Sequence, residues 1–227
     1  MRISRRATVG AVGAALALGA TTAVAAPANA APTATAAPAA AVATTTHHHH
    51  TLGTKSLVSV LTADKSGFDR NRKDFDILTA AVKAVLAAKP KSAVGVLADG
   101  KVPVTAFIPN DGAFAILVRD LTGTSLRSES QVFKAVASLG IPTVEKVLLY
   151  HVVPGKTIDA KAALKANGAK LHTAAGLTIK VRVLGKTIFL QDKDPDARNP
   201  RVVAADINKG NRQIAHAIDR VLRPVNL

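Results

Sequence analysis

The chain has 227 residues and no cysteine, with 30 basic side chains against 15 acidic ones, a formal charge of +15. Lack of cysteine excludes disulfides, thiol catalysis and a lipidated-cysteine anchor, so an exported domain of this sequence is held by its apolar core alone. The charge favours anionic partners (wall polymers, acidic polysaccharide, lipid headgroups or nucleic acid) without naming one.

Residues 1–30 carry the pattern of a secretion signal peptide. Basic Arg2, Arg5 and Arg6 precede an apolar run from Ala7 to Ala20, and Ala28-Asn29-Ala30 supplies a cleavage pattern, with Ala23-Val24-Ala25 as a second. The run is about 14 residues, short of the roughly 20 that cross a membrane, so removal is expected rather than anchoring. Ser4-Arg5-Arg6 hints at twin-arginine export, but Ala7, Thr8 and Val9 do not continue that pattern, and general secretion is expected. Without those three arginines, 27 basic residues face 15 acidic ones, a formal +12. Residues 31–53 read as an uncharged, disordered Ala/Thr/Pro linker. Its His47 to His50 tract could hold a metal only loosely, because a flexible run fixes no geometry. Residues 54–227, about 175 of them, suffice for one self-contained core.

A short helix is expected at Ser56 to Leu61. A longer one follows from Lys73 to Lys89, where Phe75, Leu78, Val82, Val85 and Leu86 form one apolar stripe before Pro90. Asp99-Gly100 marks a turn, and Val102 to Ile108 reads as a strand. Asn110 or Asp111 caps the next helix, which buries Ala113, Phe114 and Leu117. Ser128-x-x-Gln131 fits a capping box for a helix through Leu139, closed by Gly140. Val144 to Tyr150 reads as a helix passing into a strand at His151 to Val153, and Asp159 to Ala166 as another short helix, closed by Asn167-Gly168. The period then falls to two. Leu177, Ile179, Val181 and Val183 alternate with Thr178, Lys180 and Arg182, a half-buried strand with a basic outer face. Leu184-Gly185-Lys186 turns it into Thr187 to Gln191. Arg201 to Ile207 and Arg212 to Asp219 are strands joined by Asn208 to Asn211. Helices first and strands after them predict an α+β fold.

Three stretches together resemble the fasciclin (FAS1) domain family of bacterial secreted single-domain type. They are Val104-Thr105-Ala106-Phe107-Ile108-Pro109-Asn110-Asp111-Gly112-Ala113-Phe114, then Leu148-Leu149-Tyr150-His151-Val152-Val153-Pro154-Gly155-Lys156, then Ile214-Ala215-His216-Ala217-Ile218-Asp219-Arg220-Val221-Leu222-Arg223-Pro224. They occur in family order, and the likeness spans roughly Thr54 to Pro224. The resemblance implies a wedge of antiparallel β-strands packed with a cluster of short α-helices, extracellular adhesion or matrix association, and no cofactor. It marks Phe107, Pro109, Phe114, His216, Ile218 and Asp219 as structural motif residues, and Tyr150 and His151 as adhesion candidates. Lys209, Arg212 and Gln213 stand where the family more often has small and apolar residues.

Leu148, Leu149, Val152 and Val153 flank Tyr150 and His151, so a core role competes with the adhesion role, and His216 reads as an inward histidine. Lys180, Arg182 and Lys186 share one strand and its turn and are the candidate contacts for an anionic cell-wall polymer, a polysaccharide or an acidic extracellular protein. Asp192-Lys193-Asp194-Pro195-Asp196 spaces its carboxylates as a calcium loop does. Ala197 and Val203 replace the glycine and glutamate such a loop needs, which leaves a polar hairpin tip and no metal site. No Gly-x-Ser-x-Gly or His-Glu-x-x-His occurs, so no enzyme is expected; a hydrolase would need His151 or His216 in an open cleft. With one Tyr, no Trp and six Phe, the chain has few stacking platforms for specific nucleic acid, leaving DNA or lipid attraction by net charge as the other alternative. The expectation is a secreted monomer with no transmembrane segment in its mature form.

Overall fold

Helices start readily where side-chain oxygens can take their unpaired N–H groups, and the computed structural model, which describes residues 51–226, shows this at three of its α-helices, capped by Ser56, Asn110 and Asp159. The expected signal peptide and the linker through His50 lie outside those residues. Gly53 is already tied to the domain: its N–H donates to the Gly210 carbonyl at 2.8 Å, and its carbonyl accepts from Arg212 N–H at 2.9 Å.

Helix α1 spans Leu57–Leu61, with the Ser56 hydroxyl accepting from Ser59 N–H. Helix α2 spans Asp76–Ala88 and buries Ile77, Leu78, Ala81, Val82 and Val85. It begins later than Lys73 because its cap comes from elsewhere. The Asp111 carboxylate, 35 and 34 residues on, accepts from the N–H groups of Asp76 and Ile77. A 3-10 helix at Ala93–Ala98 follows; its Ser92 cap and Gly95 give no helical period, and the sequence reading passed over it. Helix α3 is Asp111–Thr122, where Asn110 Oδ1 accepts from Ala113 N–H at 2.9 Å. Gly123 closes it in the left-handed region at φ 69°.

The expected capping box does not form. Ser128 Oγ lies 2.7 Å from Ser130 Oγ instead, and helix α4 runs only over Glu129–Ala137. Helix α5 is Ile141–Tyr150, longer at its start than expected. Pro142 sits in its first turn, where a missing N–H costs nothing. Helix α6 is Ala160–Leu164, capped by Asp159 Oδ1 on Ala162 N–H at 2.7 Å.

Among the described residues, seven strands make two sheets. Strands β1 (Val104–Pro109), β2 (Val152–Pro154), β6 (Val202–Ile207) and β7 (Gln213–Ile218) lie in the order β2-β1-β7-β6. Strands β3 (Lys170–His172), β4 (Thr178–Leu184) and β5 (Thr187–Gln191) form the second sheet in sequence order. All neighbours are antiparallel except β1 and β7, which run parallel with Phe107 opposite His216. Local sequence cannot report that pairing, because about a hundred residues connect the two strands and no hairpin fixes their direction.

Strands β1 and β7 are buried along their whole length. Side-chain alternation divides them between two cores. Val104, Ala106, Ile108, Val152, Ala215 and Ala217 face the helices, whereas Phe107, Val153 and Ile218 face the second sheet. The α+β prediction holds: helices cover one side of the four-stranded sheet and a three-stranded sheet covers the other.

Candidate functional site

The three signature stretches supply the adjacent strands β2, β1 and β7, so they meet in space. Tyr150 closes α5 with none of its surface exposed, and its hydroxyl donates to the Thr178 carbonyl at 3.1 Å. Burial pushes the phenol up from its ordinary pKa. His151 is 4% exposed. Its Nδ1–H donates to the Val147 carbonyl at 2.7 Å, and Nε2 accepts from Leu222 N–H at 2.9 Å. Both ring nitrogens are therefore engaged in one neutral tautomer, and burial lowers the imidazole pKa to about 4. His216 repeats the arrangement, with Nε2–H donating to the Ile158 carbonyl at 2.8 Å and Nδ1 accepting from Asp206 N–H at 3.3 Å. Burial lowers its pKa too, and the Phe107 ring lies 5.9 Å away.

Neither imidazole opens on a cleft. The space beside Phe107 and His216 is about 20 Å³ and that beside Phe114 and His151 about 30 Å³, room for a water molecule and no substrate. The other motif residues are structural as well. Pro109 ends β1 opposite Ile218, and Phe114 is buried in the helical core. The Asp219 carboxylate holds Arg201 at the start of β6, through its N–H at 2.8 Å and its Nε at 3.1 Å.

The second sheet has one face free. Ile179 and Val181 point inward and are buried, whereas Lys180 and Arg182 point outward. The antiparallel register sets Lys170 directly opposite Lys180 on that outer face. Gly185 and Lys186 form the two-residue turn to β5, with Gly185 at φ 59°. Leu184, 64% exposed, and Phe189, opposite Arg182, add apolar surface among the cations. Among the described residues, none of the ion pairs engages Lys170, Lys180, Arg182 or Lys186. The sequence identified three of these residues; Lys170 was missed because its strand is three residues long.

Two further residues, Gln213 and Arg223, have roles that their sequence positions did not announce. Gln213 is fully buried: Oε1 accepts from Leu57 N–H at 2.8 Å, and Nε2 donates to the carbonyls of Val96 and Asp99 at 2.7 and 2.9 Å. One amide thus ties β7 to α1 and the 3-10 helix. Arg223 joins Asp194 at 3.1 Å and Asp120 at 2.7 Å, while its N–H donates to Asp192 Oδ2 at 2.8 Å. The Asp192 to Asp196 segment is therefore a docked loop rather than a hairpin tip. Burial would raise the Asp194 carboxyl, but hydrogen bonds from Arg223 and from the N–H groups of Asp196 and Ala197 hold it below its ordinary pKa. Beside this network, Leu117, Leu121, Leu139, Val221, Pro224 and Val225 line an apolar groove of about 400 Å³. None of the described helices is long and apolar enough to cross a membrane.

The family model of the fasciclin domain matches residues 74–224. Protein sll1483 of Synechocystis sp. is 31% identical over 152 residues, which make up 66% of this chain and 67% of that protein. Among solved structures, a FAS1 domain pair from the insect cell adhesion molecule fasciclin I aligns with a TM-score of 0.50 at 16% identity. The alignment covers 75% of this chain and 51% of the insect one, so the chain spans about half the length of that pair. This last likeness concerns the fold.

Proposed function

Because the chain belongs to the fasciclin domain family, we propose that it is an extracellular adhesion module whose basic sheet face binds anionic polymer of the cell envelope or matrix. Fasciclin domains are in general adhesion and matrix modules, and the insect domain pair comes from a cell adhesion molecule. One observation carries the choice of surface: Lys170, Lys180 and Arg182 share the outer face of one sheet, Lys186 stands at its turn, and none is ion-paired with an acid among the described residues. Preset cations on a sheet attract a polyanion without first breaking internal salt bridges, and exposed Leu184 with half-buried Phe189 offers contact to the polymer's apolar parts.

Tyr150 and His151 act in this reading by placing the strands, since their polar atoms are taken up by backbone partners. The module is secreted, works without a cofactor and catalyses no reaction. The test is retention on immobilised cell-envelope polymer across a salt gradient. Wild type should elute late and progressively earlier as salt rises, and the Lys180→Ser/Arg182→Ser/Lys186→Ser variant should elute at markedly lower salt. Equal elution of the two proteins, or retention indifferent to salt, would contradict it.

A further inference from the structure

On the opposite side of the four-stranded sheet from the basic face, three acids converge from three segments. Asp74 lies on the approach to α2, Asp111 is the first residue of α3, and Glu129 is the first residue of α4. Each offers a carboxylate oxygen, and these oxygens lie within 4.8 Å of one another. The pair Asp111 and Glu129 is deeply buried, at 1% and 4% exposure.

Some of that charge is used. Asp111 caps α2 through Asp76 and Ile77 N–H at 3.1 and 3.0 Å, and Glu129 Oε2 accepts from Asp69 N–H at 2.7 Å. What remains has no partner: Glu129 Oε1 and Asp74 Oδ1 are buried and accept no hydrogen bond. Asp76 Oδ2, next along the chain, is in the same state, and Asp76 is 8% exposed. Among the described residues, no lysine or arginine forms an ion pair with any of these acids. Even Arg72, on the adjoining loop, donates to the Leu126 carbonyl instead.

Burying several like charges together without a counter-charge is strongly unfavourable, so a shared proton or a bound cation must neutralise these oxygens. A hard cation suits an all-oxygen donor set, whereas zinc prefers nitrogen and sulfur. Calcium binds oxygen at 2.3–2.6 Å, so two ligands across one ion are about 5 Å apart or less, in keeping with this cluster. Magnesium requires a smaller, strictly octahedral shell. We propose that Asp74, Asp111 and Glu129 bind one calcium ion, which fastens the loop before α2 to the first turns of α3 and α4. The acids lie up to 55 positions apart along the chain, so no ligand spacing announces them.

The test uses the full chain stripped with a chelator. Calorimetric titration with calcium chloride should give one ion per chain, and melting should rise by on the order of 5 °C at a hundredfold excess over Kd. Asp74→Asn and Glu129→Gln should each weaken binding at least about tenfold, and magnesium should bind less well. In wild type, calcium should shift the NMR signals of the amides of Asp69, Asp76 and Ile77, which reads the site without any variant. The proposal is overturned if no calcium binds, if both variants bind it as wild type does (exposed acids would then be the ligands), or if those three amides do not respond. It is likewise overturned if melting ignores calcium but rises on acidification, because shared protons would then neutralise the cluster.

Discussion

The two sheets pack against one another, yet they use their residues in opposite ways. In the four-stranded sheet, β1 and β7 are buried along their whole length, and even polar Thr105, Gln213 and His216 face inward with named backbone partners. In the three-stranded sheet, β4 alternates strictly: Ile179 and Val181 are buried while Arg182 is exposed. Where both faces are covered, every side chain answers to its neighbours. Where one face is open, charge can be placed for a partner at little cost to the fold. The recognisable motif therefore identifies the architecture, and the proposed binding surface lies on a strand outside the motif.

The comparison breaks first at Tyr150. Replacing it with Ala should destabilise by about 4 kcal/mol, through lost packing and an unpaired Thr178 carbonyl, read from urea unfolding. Tyr150→Phe should cost only about 1 kcal/mol. If Tyr150→Ala instead left stability unchanged and abolished polymer binding, the division between the two sheets would be wrong.

Next in size is acid sensitivity. His151 titrates near pH 4 folded, against an ordinary 6.5, because burial disfavours its charged form. Its contribution is complete above pH 6.5 and is lost as pH falls from there toward 4, on the order of 3 kcal/mol in all. His216 shifts in the same direction and adds to the loss. Imidazole NMR should show His151 neutral, with its proton on Nδ1, down to about pH 4; a ring that charges near 6.5 would contradict its burial.

A smaller contrast separates two caps that look equally good in the sequence. Asn110→Ala should cost about 1 kcal/mol, because Asn110 Oδ1 holds Ala113 N–H. Ser128→Ala should cost about 0.3 kcal/mol or less, since Ser128 caps nothing. Smallest of all, Lys180→Ser/Arg182→Ser should leave the melting temperature within about 2 °C of wild type.

The helical stripe of α2 and the alternation of β4 were legible because each is a local period that burial enforces over several turns or pleats. The Asn110 cap was legible because its acceptor and donor are three residues apart. Three other features were hidden by distance along the chain. They are the Asp111 cap on α2, the parallel pairing of β1 with β7, and the Gln213 amide bridging α1 and the 3-10 helix. The Ser128 box failed for the converse reason: its local pattern is sound, but Glu129, the first residue of its helix, turns into the interior and Ser128 pairs with Ser130. Lys180, Arg182 and Lys186 could be named from sequence, but Lys170 joined them only once β3 was seen beside β4.

Where an anionic polymer touches the protein is the most direct test. Amide NMR shifts recorded while a short anionic oligosaccharide is added should concentrate on residues 170–172 and 178–191 and fade at high salt. Shifts gathered instead along the groove of Leu117, Leu139 and Val221, or spread evenly over every basic residue, would contradict a dedicated basic sheet face.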